Sequence, residues 1–274
     1  MAISASDVKR LRDQTGLGMM ECKQALKESE GDVEAAVNLL REKGLAKMDS
    51  RTERTAVEGR IGAAVSEDRS SGVIVEVNSE TDFTAASEPF ERMLQSVARE
   101  ALAQEPGEVC CGDGMQAAID EVRLTTKDNV QFARGRLVGG AGCVVGAYVH
   151  FTGKVGALIE LEAPDPGKIP ESLVNDLCMH VAAVNPVPLA VNRDQIPEDR
   201  VDQERELARK QALDQGKPEQ IVEKMVEGKI RKFYEDHALM EQAFIKDDKQ
   251  TVGGLLPEGV AIRSFVRYTL GEAG

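Results

Sequence analysis

Cysteine and histidine are the residue types here that could act as nucleophile, base or metal ligand. Cys178 and His180 lie two residues apart, and a thiol beside an imidazole can serve as a nucleophile and its base. Residues two apart on a helix face different directions, so this pair is not expected to form a dyad. His150, His180 and His237 are too far apart in sequence to show metal-ligand spacing. The spacing predicts no catalytic residue and no metal site, although an α/β enzyme using Cys178 remains an alternative.

Glycine-rich loops that hold phosphates are the next kind of motif to consider. The chain contains no G-x-x-x-x-G-K-[ST] sequence, and no G-x-G-x-x-G between a predicted strand and a predicted helix. The run Gly139-Gly140-Ala141-Gly142 lies between predicted strands, where it indicates a tight turn or a bulge. The sequence therefore predicts no nucleotide site and no cofactor of its own.

Composition narrows the class of protein. Acidic residues outnumber basic ones by 47 to 34, which gives the 274-residue chain a net charge of −13 and argues against direct nucleic-acid binding. The five cysteines show no C-x-x-C spacing, so we expect reduced thiols. No apolar run approaches the roughly 20 residues that cross a bilayer, and the first residues lack the layout of a secretion signal. We expect a cytoplasmic protein that does not bind membranes.

The segment GVIVEVNSETDFT, residues 72–84, combines a buried strand with an exposed polar end. Val73, Val75 and Val77 alternate with other residues in a β-branched run, which predicts a strand. The strand ends where polar, turn-favouring residues begin at Asn78, and Phe83 follows among them on a predicted loop. An aromatic ring on a polar loop can anchor a partner protein. The alternative is that Phe83 folds back onto the core.

Helical periodicity predicts a small N-terminal module, residues 1–54 with its linker. The predicted helices begin at Ser4, at Met19 and after Asp32, and Gly44 is expected to end the third. The second helix places Met19 with its buried face and Met20 on its polar face. Flexible thioethers favour binding surfaces, so the module is interpreted as a docking module. The alternative is that both methionines fill its thin core.

The remaining sequence predicts an α+β core with antiparallel sheets, residues 55–140 and 141–274. The predicted elements are strands 60–66, 72–78, 143–151, 155–162 and 261–270, and helices 89–104, 115–122 and 170–184. Val138 is also predicted to lie in the strand-rich region that includes 143–151 and 155–162. Residues 72–82, GVIVEVNSETD, resemble residues 155–165, VGALIELEAPD, and an amphipathic helix follows each. This similarity predicts a pseudo-repeated core. An antiparallel helical hairpin is inserted at 198–239, either as a projecting arm or as a cover for the core.

Four motifs together resemble the bacterial elongation factor Ts family. Residues 13–44, DQTGLGMMECKQALKESEGDVEAAVNLLREKG, are similar to its N-terminal module, and VNSETDFT is similar to its V-N-x-x-T-D-F-V signature. Residues 179–183, MHVAA, and 224–229, KMVEGK, match two further blocks. The order and spacing agree from Ser4 to Gly271. Thr84 departs from the family pattern, which usually has Val at this position.

The resemblance implies a guanine-nucleotide exchange factor for elongation factor Tu, a translation factor that is not an enzyme. The implied partner is elongation factor Tu, both GDP-bound and nucleotide-free. The N-terminal helices would be similar to a ubiquitin-associated domain. The residues that carry over for docking are Thr15, Gly16, Gly18, Met19, Met20 and His180, and those near the partner's Mg²⁺ site are Thr81, Asp82, Phe83 and Thr84. The alternative is a non-catalytic adaptor that binds helical or ubiquitin-like partners.

Overall fold

The apolar patterns of the core form two antiparallel sheets in the computed structural model. The structure describes residues 4–15, 17–49, 56–215 and 218–272, and it describes 45–49 by their backbone only. The helices are α1 (Ala5–Thr15), α2 (Met19–Glu28), α3 (Val33–Asp49), α4 (Asp82–Ala85), α5 (Glu88–Ala101), α6 (Asp113–Thr126), α7 (Glu171–Ala183), α8 (Glu198–Asp214) and α9 (Glu219–His237). The strands are β1 (Glu58–Val65), β2 (Ser71–Ser79), β3 (Gly107–Glu108), β4 (Val130–Gly139), β5 (Cys143–Val149), β6 (Val155–Glu162), β7 (Ala243–Phe244), β8 (Asp247–Thr251) and β9 (Ala261–Thr269). The predicted α+β class is confirmed.

The two large sheets pack against each other, and each has helices on its other face. Their strand orders are β1-β2-β4-β3 and β5-β6-β9, and β7 pairs with β8 in a separate hairpin. Ile74 of β2 and Leu158 of β6 are buried between the sheets. The other face of the first sheet packs on α5 and α6, while that of the second sheet packs on α7. The central strands β2 and β6 are therefore mainly apolar on both faces, as expected of strands that are covered on both sides.

The first sheet also holds the end of β9 and the residues that follow it, through a buried glutamate. Glu76 of β2 accepts a hydrogen bond from Nε of Arg134 at 2.8 Å and another from the backbone N–H of Gly271 at 3.1 Å. Arg134 donates in addition to the carbonyl oxygen of Thr269 at 3.2 Å. The sequence prediction contained only Val138 of β4, because charged residues such as Arg134 interrupt its apolar pattern. That charge is instead paired inside the protein.

The N-terminal helices α1, α2 and α3 enclose a small core of their own. Leu11, Cys22 and Leu26 are fully buried in it. Two predictions for this module are wrong: α3 continues through Gly44 to Asp49, and Met19 is half exposed instead of buried. Gly44 does not end the helix, and α3 packs against α6 near this point. The domain boundary predicted at residue 54 lies outside the described residues.

Helices α8 and α9 form the predicted antiparallel hairpin and bury their apolar residues mainly against each other. Ala208 and Ala212 of α8 pack with Val222 and Val226 of α9. The other residues of this cluster, Ile196 and Ala238 among them, lie at the base of the hairpin. The interpretation of the hairpin as a cover for the core is therefore wrong, and it forms an arm.

Candidate partner-binding site

The segment after β2 is a one-turn helix, α4, instead of the predicted loop. Thr81 caps this helix, since its hydroxyl oxygen accepts a hydrogen bond from the backbone N–H of Thr84 at 3.3 Å. Asp82 occupies the first turn, where a negative charge interacts favourably with the helix dipole. A threonine that precedes an acidic residue is a typical helix start. The sequence contains this helix-start signal at Thr81, but a four-residue helix is too short to show helical periodicity.

Contacts from the start of β4 hold α4 in place. Asp128, a buried residue just before β4, accepts hydrogen bonds from the backbone N–H of Thr81 at 3.2 Å and from its hydroxyl at 2.9 Å. The backbone N–H of Glu80 donates to the carbonyl oxygen of Asn129 at 2.9 Å. The carboxylate of Asp128 thus fixes both the backbone and the side chain of the capping residue.

The other end of α4 is tied to α5. Ser87 caps α5, and its hydroxyl donates to the carbonyl oxygen of Thr84 at 2.7 Å. Thr84 and Ala85 are buried. The threonine at the family's usual valine position therefore faces the protein interior, where its hydroxyl lies 3.3 Å from that of Thr81.

Phe83 lies on the free side of this anchored turn, with 85% of its surface exposed to solvent. The alternative that it folds back onto the core is wrong. Asp82 beside it is also exposed. Because both ends of α4 are bonded to the core, the ring is held out before any partner arrives, which lowers the entropy cost of binding. Of the four residues predicted here, two are displayed and two hold them in position.

The predicted docking residues of the N-terminal module lie around the start of α2. Met20 is 75% exposed and Met19 is half exposed, so the alternative that both fill the core is wrong. Gly18 precedes α2, and its backbone N–H donates to the carboxylate of Glu21 at 3.2 Å. Thr15 instead lines a cleft of about 540 Å³ between this module and α6. Gly16 lies outside the described residues.

The methionines and Phe83 belong to different modules of the chain. Helix α2, which carries both methionines, packs on α1 and α3, whereas α4 packs on β1, β2 and α5. A partner that engages both regions must therefore contact two separate modules of this chain.

His180 is buried, so the prediction that it lies on a binding surface is wrong. None of its surface is exposed. One ring nitrogen, Nε2, lies 3.1 Å from Oε1 of Gln242, and the other, Nδ1, accepts from the backbone N–H of Ile245 at 3.2 Å. A role of His180 in partner binding stays a prediction, and it would have to act through these neighbours.

The thiol required by the enzyme alternative is unsuited to nucleophilic attack. Cys178 is fully buried, and burial raises the pKa of its thiol to about 12. The thiol is therefore protonated at neutral pH, and the thiolate is the reactive form. Across the described ranges, no three His, Cys, Asp or Glu side chains cluster as metal ligands would. Within the same ranges, no helix has the length and apolar character to span a membrane.

A second exposed ring, Phe151, was missed by the sequence analysis, which counted it as the end of a strand. It is 87% exposed on the turn between β5 and β6, with its ring centroid 4.3 Å from that of His150. This turn lies beside β1, because the N–H of Ile61 donates to the carbonyl oxygen of Gly153 at 2.7 Å. The first residue of β1 pairs with the last residue of β2. Phe151 therefore lies at the same end of the sheets as α4.

Comparisons with known proteins identify the family. A family model described as Elongation factor TS matches residues 80–272. The chain is 45% identical over 280 residues to Elongation factor Ts of Alkalilimnicola ehrlichii, covering 99% of this chain and 93% of that protein. It is 44% identical over 283 residues to Elongation factor Ts of Thioalkalivibrio sulfidiphilus, covering 99% of this chain and 93% of that protein. It is 40% identical over 288 residues to Elongation factor Ts of Chloroherpeton thalassium, covering 98% of this chain and 99% of that protein. The chain belongs to the elongation factor Ts family of translation elongation factors.

Proposed function

We propose that this chain is a guanine-nucleotide exchange factor that binds elongation factor Tu with GDP and promotes GDP release until GTP rebinds. The observation that carries the proposal is Phe83, 85% exposed on a turn bonded to the core at both ends. An aromatic side chain held out on a rigid support can anchor a partner at low entropic cost. The family name supports a role in translation, and the ring supplies a means of acting on a partner.

The proposed mechanism acts on the way that a GTPase holds its nucleotide. GDP is bound largely through its phosphates and a bridging Mg²⁺, so a ligand that disturbs this coordination weakens nucleotide binding. Phe83 would enter the partner beside its Mg²⁺ site as a wedge. Asp82, exposed next to it, brings a negative charge toward the cation. Thr81 and Thr84 keep the wedge in place through the cap and the bond to Asp128.

Exchange of this kind requires no bond to be made or broken in either protein, so we propose that the chain is not an enzyme. The coupling is reciprocal: the factor weakens GDP binding by the same ratio by which GDP weakens binding of the factor. The nucleotide-free partner is therefore bound more tightly than the GDP-bound one. We place this cycle in the cytoplasm and assign it no direct contact with nucleic acid or membrane.

The exposed methionines of α2 would provide the second attachment. Met20 and Met19 offer flexible, polarizable side chains that adapt to a partner surface. Attachment through two linked modules raises the effective concentration of each one at its site. The N-terminal module would thus retain the partner while Phe83 acts on the Mg²⁺ site.

Stopped-flow release of a fluorescent GDP from elongation factor Tu tests the proposal. Phe83→Ala is expected to slow stimulated release by about 30-fold or more, the ratio for loss of an interface hot spot. The folded state should be retained, because the removed ring makes little contact with its own chain. Phe151→Ala is the matched control, since it removes an equally exposed ring at the same end of the molecule. We expect this variant to stay within about threefold of the wild type.

Two results would contradict the proposal. An adaptor without exchange activity would leave GDP release unchanged even with the wild-type chain. Equal losses in Phe83→Ala and Phe151→Ala would show that exposed aromatic area matters and that the position on α4 does not.

A further inference from the structure

Two adjacent cysteines lie on the surface of the core, in the loop between β3 and α6. Cys110 and Cys111 are free and exposed, whereas the other three cysteines of the chain are buried. Because buried thiols are shielded from dissolved reagents, this pair holds the thiols that a reagent can reach in the folded chain. The exchange function proposed above uses neither of them.

The backbone of this pair is fixed on both sides. The side-chain oxygen of Gln104 accepts from the backbone N–H of Cys110 at 3.0 Å, and its side-chain nitrogen donates to the carbonyl oxygen of Cys110 at 2.8 Å. Before the pair, the backbone N–H of Val109 donates to the carbonyl oxygen of Gly135 in β4 at 3.0 Å. After the pair, Gly112 directly precedes α6. Because the loop is held in place, a ligand that engages both thiols binds at a lower entropy cost.

The side chains around Cys111 keep its thiol protonated. Its Sγ lies 3.7 Å from Oε1 of Gln116, and the thiol donates to that oxygen. The amide nitrogen of Gln116 donates in turn to Asp120 at 2.9 Å, which leaves the amide oxygen to face the sulfur. Partial burial raises the pKa of the Cys111 thiol above its ordinary value, and the negative charges of Glu100 and Asp120 raise it further. A thiolate is therefore disfavoured at this position at neutral pH.

Two common fates of paired cysteines do not suit this geometry. The peptide bond between the two cysteines is trans. Their Cα atoms are therefore about 3.8 Å apart, whereas a disulfide usually joins Cα atoms about 4.4–6.8 Å apart. A structural zinc ion needs further ligands besides two cysteines, and it binds cysteine as the thiolate. Among the residues that the structure describes, no three His, Cys, Asp or Glu side chains could hold a metal ion together.

We propose that Cys110 and Cys111 form a dithiol site for monosubstituted trivalent arsenicals, in which one arsenic atom bridges the two sulfur atoms. An atom inserted between the sulfurs lengthens the bridge, which relieves the strain of a direct sulfur–sulfur bond between neighbouring residues. An arsenical with one organic group has two hydroxyl groups to exchange, and the loop offers two thiols. The match between exchangeable groups and reachable thiols is therefore complete.

The reaction needs no oxidant and leaves no thiolate. In an arsenical of the form R–As(OH)2, each thiol replaces one hydroxyl group, so two As–S bonds form while two As–O bonds and two S–H bonds break. Each thiol proton leaves with a hydroxyl group as water. Arsenic stays trivalent, and no net proton is released. The negative surroundings of Cys111, which oppose a thiolate, therefore do not oppose this product.

Uptake of phenylarsine oxide by the intact reduced chain tests the proposal. Native mass spectrometry should show one phenylarsenic group per chain in place of two thiol hydrogens. The folded chain should at the same time lose both of its thiols that react with dithionitrobenzoate. A small dithiol should remove the arsenic, whereas a monothiol at equal thiol concentration should leave it bound. Uptake that leaves both exposed thiols reactive would overturn the proposal.

Single serine variants test the bridge. Cys110→Ser and Cys111→Ser each leave one As–S bond, so we expect either change to weaken binding of phenylarsine oxide by about 100-fold or more, because the second bond of the wild type forms within one molecule. Both changes lie on an exposed loop and keep the backbone bonds to Gln104, so the variants should fold. Cys143→Ser, at a buried thiol, is the control and should match the wild type within about twofold. Wild-type affinity in either exposed variant would overturn the bridge.

The pH dependence tests the proposed reaction separately from the bridge. Because no net proton is released, the affinity for phenylarsine oxide should change by less than about threefold between about pH 6 and pH 8. Binding through thiolates would release a proton for each sulfur and raise the affinity about tenfold per pH unit for each one. A rise of that size would overturn the reaction. None of these measurements depends on exchange activity.

Discussion

The two halves of the core share a plan of hairpin, helix and later strand, and they differ in the side chain that each displays after its central strand. In each half a hairpin is followed by a helix, and a later strand pairs with the second strand of the hairpin, giving β1-β2-β4 and β5-β6-β9. The register of that later pairing shifts immediately after a buried glutamate, Glu76 in β2 and Glu160 in β6. One short helical turn follows each central strand, Asp82–Ala85 in the first half and Pro166–Lys168 in the second.

Alignment of the two glutamates shows where the halves diverge. Phe83 lies seven residues after Glu76, and Gly167 lies seven residues after Glu160. The repeated scaffold therefore has an aromatic ring at this position in one half and no side chain in the other. The comparison teaches that the proposed wedge is a local addition to a repeated fold, so the fold alone would not reveal the function.

Removing charge from the two equivalent glutamates should show how differently the halves use them. Glu76→Gln is expected to lower the free energy of unfolding by about 3 kcal/mol, because the buried carboxylate pairs with Arg134 and accepts from Gly271. Glu160→Gln should lower the free energy of unfolding by about 1 kcal/mol. Glu160 accepts a hydrogen bond from Ser264, and its ion-pair partner Arg263 is exposed. Urea denaturation measures both values, and equal losses would contradict this difference.

The capping residues offer a second comparison of the halves. Thr81→Val removes the hydroxyl that caps α4 and bonds to Asp128, so we expect a loss of about 1 kcal/mol in unfolding free energy. GDP release should slow as α4 loosens around Phe83. Asp165 is the capping position of the second turn and makes no side-chain cap there. Asp165→Ala should therefore leave stability and release unchanged, and a loss as large as that of Thr81→Val would argue against a special role for α4.

The stability of the second half is expected to fall at acidic pH, because of His180. Burial lowers the pKa of His180 below its ordinary 6.5, and the hydrogen bond with Gln242 only partly opposes this. Below pH 6.5 the unfolded chain binds a proton that the folded chain excludes, so stability falls as the pH drops toward the folded pKa. The loss between pH 7 and pH 6 is at most about 0.7 kcal/mol. Denaturation at the two pH values should show it in the wild type, and His180→Asn should lack this contribution.

Transfer of the ring between the halves should have the smallest effect. Gly167 has room for a side chain, because the nearest atom to an added Cβ is Oδ1 of Asp165 at 3.7 Å. The double variant Phe83→Ala, Gly167→Phe should nonetheless release GDP no faster than Phe83→Ala alone, within about twofold, because we propose that only the first turn acts at the partner's Mg²⁺ site. Restored release would show that either half can present the wedge.

Regular elements with strong patterns were predicted from sequence, and elements shaped by tertiary contacts were not. The hairpins, α5 and α7 follow from apolar periodicity that burial preserves. The missed part of β4 contains Arg134, whose charge is satisfied by Glu76 far away in sequence. His180 was predicted on a surface because its hydrogen-bond partners, Gln242 and Ile245, are more than 60 residues away. The sequence did not predict whether Phe83 is exposed, because its turn is held by the hydrogen bond from Thr81 to Asp128, 47 residues away in sequence.

The bonds from Glu76 and Arg134 to Gly271 and Thr269 have a consequence for biosynthesis. Strand β9 completes the second sheet by pairing with β6, and α7 and the α8–α9 hairpin lie between these two strands in sequence. During translation β6 is therefore synthesised well before β9. One edge of β6 stays open, and Glu76 lacks its contact with Gly271, until residues 261–271 have left the ribosome. The second sheet thus closes only after the whole helical hairpin has been made.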